Sequence, residues 1–260
     1  MALELINRVS AIYPEVPQFA CFDTAFHATM PALASRLPIP EEFADAGYHR
    51  YGFHGVSCES VMHQLGQTRP QRIVIAHLGN GSSVTAVWNG NSVDTSMGLT
   101  PIGGLPMATR SGDLDPGVVT HMMRRNNWTP DKMDEVLNHQ CGIIALSGGE
   151  PDMQRLLVSA ASGGHNAAFA IDVFCVAVRK FIGAYAAVMG GLDLIVFTGG
   201  IGQNSAGIRS RICRGLQFMG VDPMLEEHGK VKVLEAQEEI QMARVCRAWL
   251  QDYRGSSRLM

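Results

Sequence analysis

Several signatures that would announce a function are missing from this 260-residue chain. Its six cysteines, Cys21, Cys58, Cys141, Cys175, Cys213 and Cys246, contain no C-x-x-C pair. That spacing argues against a structural zinc site or a disulfide framework, so reduced thiols in a cytoplasmic protein are expected. Charge is sparse and balanced: charged residues are 17%, and 21 Lys and Arg against 24 Asp and Glu give a net −3. There is no basic footprint for nucleic acid and no charged tail. Aromatic residues are only 7%, and no internal repeat or low-complexity tract is present. Long hydrophobic runs are missing as well. The most apolar stretch, 167–189, is broken by Asp172, Arg179 and Lys180, charges that are costly in a bilayer, so it reads as a buried core helix. The opening Met1-Ala2-Leu3-Glu4-Leu5 lacks the basic start and apolar length of a signal peptide. A soluble protein with no membrane partner is expected.

What the chain does have is apolar bulk, 46% of residues, and 28 glycines clustered where strands end. A strand is expected over 18–22 and a helix over 25–33, closed by Leu37-Pro38-Ile39-Pro40. Residues 59–65 carry helical spacing. Ile73-Val74-Ile75-Ala76 reads as a fully buried strand. An alternating strand over 83–88, the hairpin pair Asn89-Gly90 and a third strand over 92–95 follow, which together predict a three-stranded antiparallel meander. Helices are expected over 129–137, 167–189, 206–217 and 237–249, with short strands at 194–198 and 230–234. Strands mixed with long helices give an α/β protein.

Two glycine-rich turns sit at strand ends. At Leu78-Gly79-Asn80-Gly81-Ser82-Ser83, the backbone can approach a ligand closely, and successive N–H groups form a nest for phosphate oxygens. At Gly199-Gly200-Ile201-Gly202-Gln203-Asn204, a strand feeds a helix whose amides favour negative charge. Either alone is also an ordinary tight turn; two in one α/β chain point to a nucleotide. Asp23 can be an N-cap, or a carboxylate that holds Mg²⁺ or orients a nucleophile. His54, in a Gly-Phe-His-Gly turn, can be structural. Arg110 can pair with Asp113, or stabilise a phosphoryl group in transfer. Glu238 and Glu239 open a helix, where the dipole favours carboxylates anyway.

Taken together, these segments resemble acetate kinase, a family of the acetate and propionate kinases. The matching words are Phe22-Asp23-Thr24-Ala25-Phe26-His27 with Thr29-Met30-Pro31, Tyr51-Gly52-Phe53-His54-Gly55, and His77-Leu78-Gly79-Asn80-Gly81. They continue with Asp94-Thr95-Ser96-Met97-Gly98-Leu99-Thr100-Pro101, Thr109-Arg110-Ser111-Gly112-Asp113, and Phe197-Thr198-Gly199-Gly200-Ile201-Gly202. They run in family order over nearly the whole chain. The resemblance implies the ribonuclease-H-like fold of the acetate and sugar kinase, heat-shock chaperone and actin superfamily. It also implies reversible, Mg²⁺-dependent phosphoryl transfer between ATP and a short carboxylate, with ADP and an acyl phosphate as products. By resemblance Asp23, His54 and Arg110 are catalytic. His77, Leu78, Gly79, Asn80 and Gly81 would cradle the phosphates. Asp152, Met153 and Gln154, with Gly200, Ile201, Gly202, Gln203 and Asn204, would hold the nucleoside. Phe53 would wall the pocket for the acyl methyl group, Glu238 and Asp23 would serve the metal, and the family pairs as a homodimer through its second domain.

Against the family pattern, residues 1–22 correspond to the end of the first domain, 23–236 to the nucleotide-binding second domain, and 237–260 to a C-terminal helix packing back on the first. The phosphate turn with its Asn, Ser and Lys, and the Arg-Val-Val-His-Gly-Gly segment with its substrate Arg, have no counterpart in this sequence. Gln154 stands in place of an Arg, Gln203 in place of a Glu, Ala108 in place of a Gly, and Ala236-Gln237 in place of Thr-Asn. Weakened nucleotide binding is the expectation. A non-catalytic homologue, serving as a nucleotide-binding or dimerisation module, is the competing reading.

Overall fold

The computed structural model describes residues 2–222 and 229–256. The chain opens with helix α1 (Ala2–Ile12), which carries an exposed Glu4–Arg8 pair at 2.8 Å. A 3₁₀ turn (Ala25–Thr29) and two short helices, α2 (Ala32–Ser35) and α3 (Glu41–Asp45), lead to α4 (Gly55–Leu65). Strands β1 (Arg72–Leu78), β2 (Ser82–Trp88) and β3 (Asn91–Thr95) form the meander. Then come α5 (Pro116–Asn126), α6 (Pro130–His139), α7 (Ile143–Ser147), α8 (Met153–Ala161) and the long α9 (His165–Val188). The chain ends with β4 (Leu194–Thr198), α10 (Gly199–Asn204), α11 (Ala206–Arg214), a 3₁₀ turn (Gln217–Met219), β5 (Val231–Val233) and α12 (Glu238–Ser256).

The sheet order is β3-β2-β1-β4-β5: β1 and β2, and β2 and β3, pair antiparallel, while β4 and β5 extend the β1 edge in parallel. This is the ribonuclease-H-like arrangement. Both faces of β1 are apolar because both are covered. Val74, Ala76 and Leu78 face one core, with Phe197, Phe174, Ile171 and Val178, so α9 lies on that side. Ile73 and Ile75 face the other, with Leu194, Val196, Cys58 and Val61, so α4 lies there, with α12 packed on it.

The expected strand over 18–22 is not formed. Phe22 is 70% exposed, and the segment runs beside α12, where Phe19 packs at a tilt of 47° against Trp249 with ring centroids 5.6 Å apart. No sheet edge takes its backbone groups among the described residues. The expected helix over 25–33 is instead a 3₁₀ turn and a separate α2. Pro31 lacks an N–H and pushes Met30 to an extended conformation (ψ 132), which divides the two. The helix expected to reach 217 stops at Arg214, before Gly215.

At the carboxyl end of the sheet, His77 of β1 pairs with Thr198 of β4, and the two glycine-rich turns leave side by side. In open α/β sheets this end is where ligands bind.

Candidate active site

The site starts with a turn. Gly52 (φ +75) and His54 (φ +58) both adopt left-handed backbone. A side chain at Gly52 would strike the His27 ring and Thr95 at 2.6 Å, so only glycine fits. The His27 imidazole fixes the turn from behind: Nε2 lies 3.0 Å from the Phe53 carbonyl and Nδ1 lies 2.9 Å from Ser92 Oγ. Since a carbonyl only accepts, Nε2 carries the proton and Ser92 donates to Nδ1. Asp23 fixes the front. Its Oδ2 accepts the His54 N–H at 2.7 Å and its Oδ1 the Val56 N–H at 3.2 Å. Asp23 is therefore a capping carboxylate, but for α4, 31 residues away, and not for the turn that follows it. A helix N-terminus favours that negative charge.

His54 stacks on His77, with ring centroids 4.1 Å apart and planes 19° from parallel. Each ring hands its Nδ1 to a serine: His54 to Ser83 Oγ at 3.0 Å, His77 to Ser57 Oγ at 2.8 Å. Burial, then the charges of Arg110 and His27, lower the His54 pKa to about 4. Burial and His54 lower that of His77 to about 3. Both rings are neutral at pH 7, as two cations stacked this closely could not be. A serine hydroxyl can donate or accept, and the ring proton sits on Nε2 in the tautomer in which the serine donates to Nδ1.

These Nε2 groups point at the first glycine turn. A Cβ on Gly81 would lie 3.2 Å from His54 Nε2 and 3.4 Å from Arg110 Nη1. A Cβ on Gly79 would lie 3.8 Å from His77 Nε2 and 3.9 Å from the Gly200 amide. The two glycine turns thus face each other, with two imidazoles and a guanidinium beside them. Arg110 does not pair with Asp113, whose Oδ1 accepts the Gly104 N–H at 2.7 Å. Arg110 donates to the Pro101 carbonyl at 3.3 Å and has no carboxylate partner among the described residues. Its charge is available to an anion. The Ala108 amide donates to the Asn80 carbonyl at 3.2 Å, joining this loop to the turn.

The second turn is held by a residue with no sequence motif. Arg209, 7% exposed, donates through Nη1 to the carbonyls of Gly202 (2.9 Å) and Gln203 (2.8 Å). Asn204 donates to Gly200 O at 2.9 Å, and Ile201 is half-buried. Thr198, beside His77, has a fully buried hydroxyl without a hydrogen-bond partner among the described residues. His27, Ser57, Ser83 and Arg209 all support the site; His27 lies inside a matching family word and Ser83 in the first glycine-rich turn, whereas Ser57 and Arg209 carry no sequence signal. Asp152 caps α8 by accepting the Arg155 N–H at 2.8 Å. Met153 is buried in the core, and Asp152 and Gln154 are exposed. Phe53 is half-buried.

Glu238, at the first turn of α12, has its pKa raised by burial, then by the negative charges of Asp23 and Glu239. Carboxylates that feel each other across two elements suit a shared cation. Among the described residues no group of three His, Cys, Asp or Glu side chains could hold a metal. Asp23, whose two oxygens accept the His54 and Val56 amides, and Glu238 are the carboxylates at this end of the site.

No helix among the described residues is long and apolar enough to cross a membrane. Residues 1–243 match the family described as the acetokinase family. An acetate kinase of Phocaeicola vulgatus is 44% identical over 240 residues, 90% of this chain and 60% of its own length. One from Shouchella clausii is 40% identical over 260 residues, 92% of this chain and 66% of its own. The chain thus spans less than two thirds of the length of these curated relatives. The crystal structure of Porphyromonas gingivalis acetate kinase superposes with a TM-score of 0.87 at 34% identity, over 95% of this chain and 68% of that one. A propionate kinase from Francisella tularensis gives 0.87 at 38%, over 92% and 66%. Sheet order, the two facing glycine turns and these likenesses lead to one assignment: the chain belongs to the acetokinase family.

Proposed function

We propose that this chain performs the reaction its relatives are named for, reversible transfer of the γ-phosphoryl group of ATP to acetate or propionate. The products are ADP and the acyl phosphate. The observation that carries this reading is the convergence of His54 Nε2 and Arg110 Nη1 on Gly81, within 3.2 and 3.4 Å of where its Cβ would be. Phosphoryl transfer spreads charge over three equatorial oxygens, so fixed donors and cations aimed there supply most of the catalysis. Neutral His54 donates its Nε2 proton and Arg110 its guanidinium protons to that group. Asp23, locked by two backbone amides, orients the attacking carboxylate, and Phe53 borders its methyl group. His77, Leu78, Gly79, Asn80 and Gly81 cradle the phosphates. Gly200, Ile201, Gly202, Gln203 and Asn204 take the nucleoside, together with Asp152, the backbone of Met153, and Gln154. Asp23 and Glu238 hold Mg²⁺, which neutralises phosphate charge when bound.

The same reading divides the chain into 1–22, a nucleotide-binding unit over 23–236, and a C-terminal helix over 237–260. It places the protein in the cytoplasm. Pairing of two copies through the second unit is supported by Phe169 and Val176 of α9, which are 58% and 41% exposed beside an apolar groove. The test is acetate-dependent ADP release from Mg-ATP by the purified chain. Activity that falls by roughly a hundredfold or more in Arg110→Ala supports the reading. A folded chain with no acetate-dependent release favours the non-catalytic module instead.

A further inference from the structure

One hydrogen bond behind the site has a direction that burial decides. Ser57 sits in the first turn of α4, and its Oγ lies 2.8 Å from Nδ1 of His77 on β1. Ser57 is fully buried, and this nitrogen is its side chain's only hydrogen-bond partner among the described residues. Neutral His77 has a single ring proton to place. With the proton on Nδ1, the Ser57 oxygen accepts it, and the serine's own O–H is sealed in the interior with no acceptor. A buried donor left unpaired costs its full desolvation. With the proton on Nε2, Ser57 donates to Nδ1, and neither group of the pair is orphaned inside the protein. Nε2 is the open end of the ring: it makes no hydrogen bond among the described residues, and His77 keeps 9% of its surface exposed. The Cβ position of Gly79 marks a point 3.8 Å from this nitrogen and 3.9 Å from the Gly200 amide. The open end therefore faces the gap between the two glycine turns.

We propose that Ser57 is a positioning residue: it donates to His77 Nδ1 and so fixes the ring as an Nε2–H donor, aimed between the glycine turns at an anionic phosphate oxygen. The other tautomer turns a nitrogen lone pair towards the same place and repels an anion. Ser57 thus sets the sign of the interaction, acting through the imidazole rather than on the ligand, because the hydrogen bond at one ring nitrogen decides which nitrogen carries the proton. The direction of the Ser57–His77 bond follows from burial, whereas the phosphate that it serves rests on the phosphotransferase reading.

The test is ¹⁵N NMR of the full chain labelled on histidine, at pH 7 and without nucleotide, with the His77 signals assigned by their loss in His77→Gln. The expected result is a neutral His77 ring with its proton on Nε2, joined in Ser57→Ala by the Nδ1–H form. Calorimetry on Ser57→Ala should then show Mg-ADP bound roughly tenfold more weakly than by wild type. A wild-type ring protonated on Nδ1, or on both nitrogens, overturns the proposal, and this spectrum decides even where Ser57→Ala does not fold. A folded Ser57→Ala protein that keeps the Nε2–H form throughout, or that binds Mg-ADP as wild type does, overturns it as well. The expected tautomer and affinities in a chain without acetate-dependent ADP release would instead strike the phosphotransferase reading alone.

Discussion

Gly81 lies where His54 and Arg110 come together, and it shows how little room the site has. An added methyl group there would sit 3.2 Å from His54 Nε2 and 3.4 Å from Arg110 Nη1, tighter than comfortable van der Waals contact. Gly81→Ala is therefore expected to lower kcat roughly ten- to a hundredfold by shifting the two donors. Its Tm should stay close to wild type, since Gly81 does not have a positive φ. Steady-state kinetics beside a thermal melt checks both halves. His77 makes a prediction about pH. Its pKa is lowered from 6.5 to about 3, chiefly by burial. The unfolded chain takes up the proton as pH falls through 6.5, while the folded chain does so only near 3. The stability that depends on a neutral His77 is thus complete above 6.5 and is lost progressively as pH falls towards 3. Replacing it by Gln should flatten the fall in Tm between about pH 6.5 and 4, read from melts across a buffer series. An equal slope in wild type and His77→Gln would contradict a buried neutral ring.

At the scale of elements, the sequence was legible where an element is decided locally. The meander follows from Ile73-Val74-Ile75-Ala76, the alternation after Ser83 and the Asn89-Gly90 turn, and the structure forms it with a third strand only one residue longer than expected. Helix α9 follows from an apolar run too long for a strand. The segment 18–22 looked like a strand because strand propensity records apolar character, whereas a strand also needs an unpaired edge beside it, which no local pattern reveals. Helix α5 went unread although Asp115 caps it, accepting the Gly117 N–H at 2.7 Å, with Pro116 in its first turn. Its sparse apolar face, with no buried residue, left no periodic signal. Among site residues, Asp23, His54 and Arg110 were legible through the family words around them. Arg209 was not, because its role is to hold two carbonyls of α10 from the next helix. Arg209→Ala should cost about 1–3 kcal/mol by leaving buried carbonyls unpaired and should weaken nucleotide binding. Urea melts and ATP titration would show this; unchanged affinity would mean that α10 keeps its shape without the arginine.

On the scale of the whole molecule, the sheet is a two-sided platform. Val74, Ala76 and Leu78 anchor it to α9, while Ile73 and Ile75 anchor it to α4. This burial sets the positions of β1 and β4, and with them the facing glycine turns. Asp23 comes from the segment before α4, Arg110 from the loop before α5 and Glu238 from α12, so the site exists only when all these layers are assembled. The central claim is that the assembled chain presents His54 and Arg110 to a phosphoryl group in flight. Its most direct test is affinity for a transition-state mimic, Mg-ADP with aluminium fluoride and acetate, measured by calorimetry on wild type, Arg110→Ala and His54→Ala. The account predicts binding to wild type that weakens by at least about tenfold in each variant, while Mg-ADP alone binds all three alike. Equal affinity of the three proteins for the mimic would contradict it.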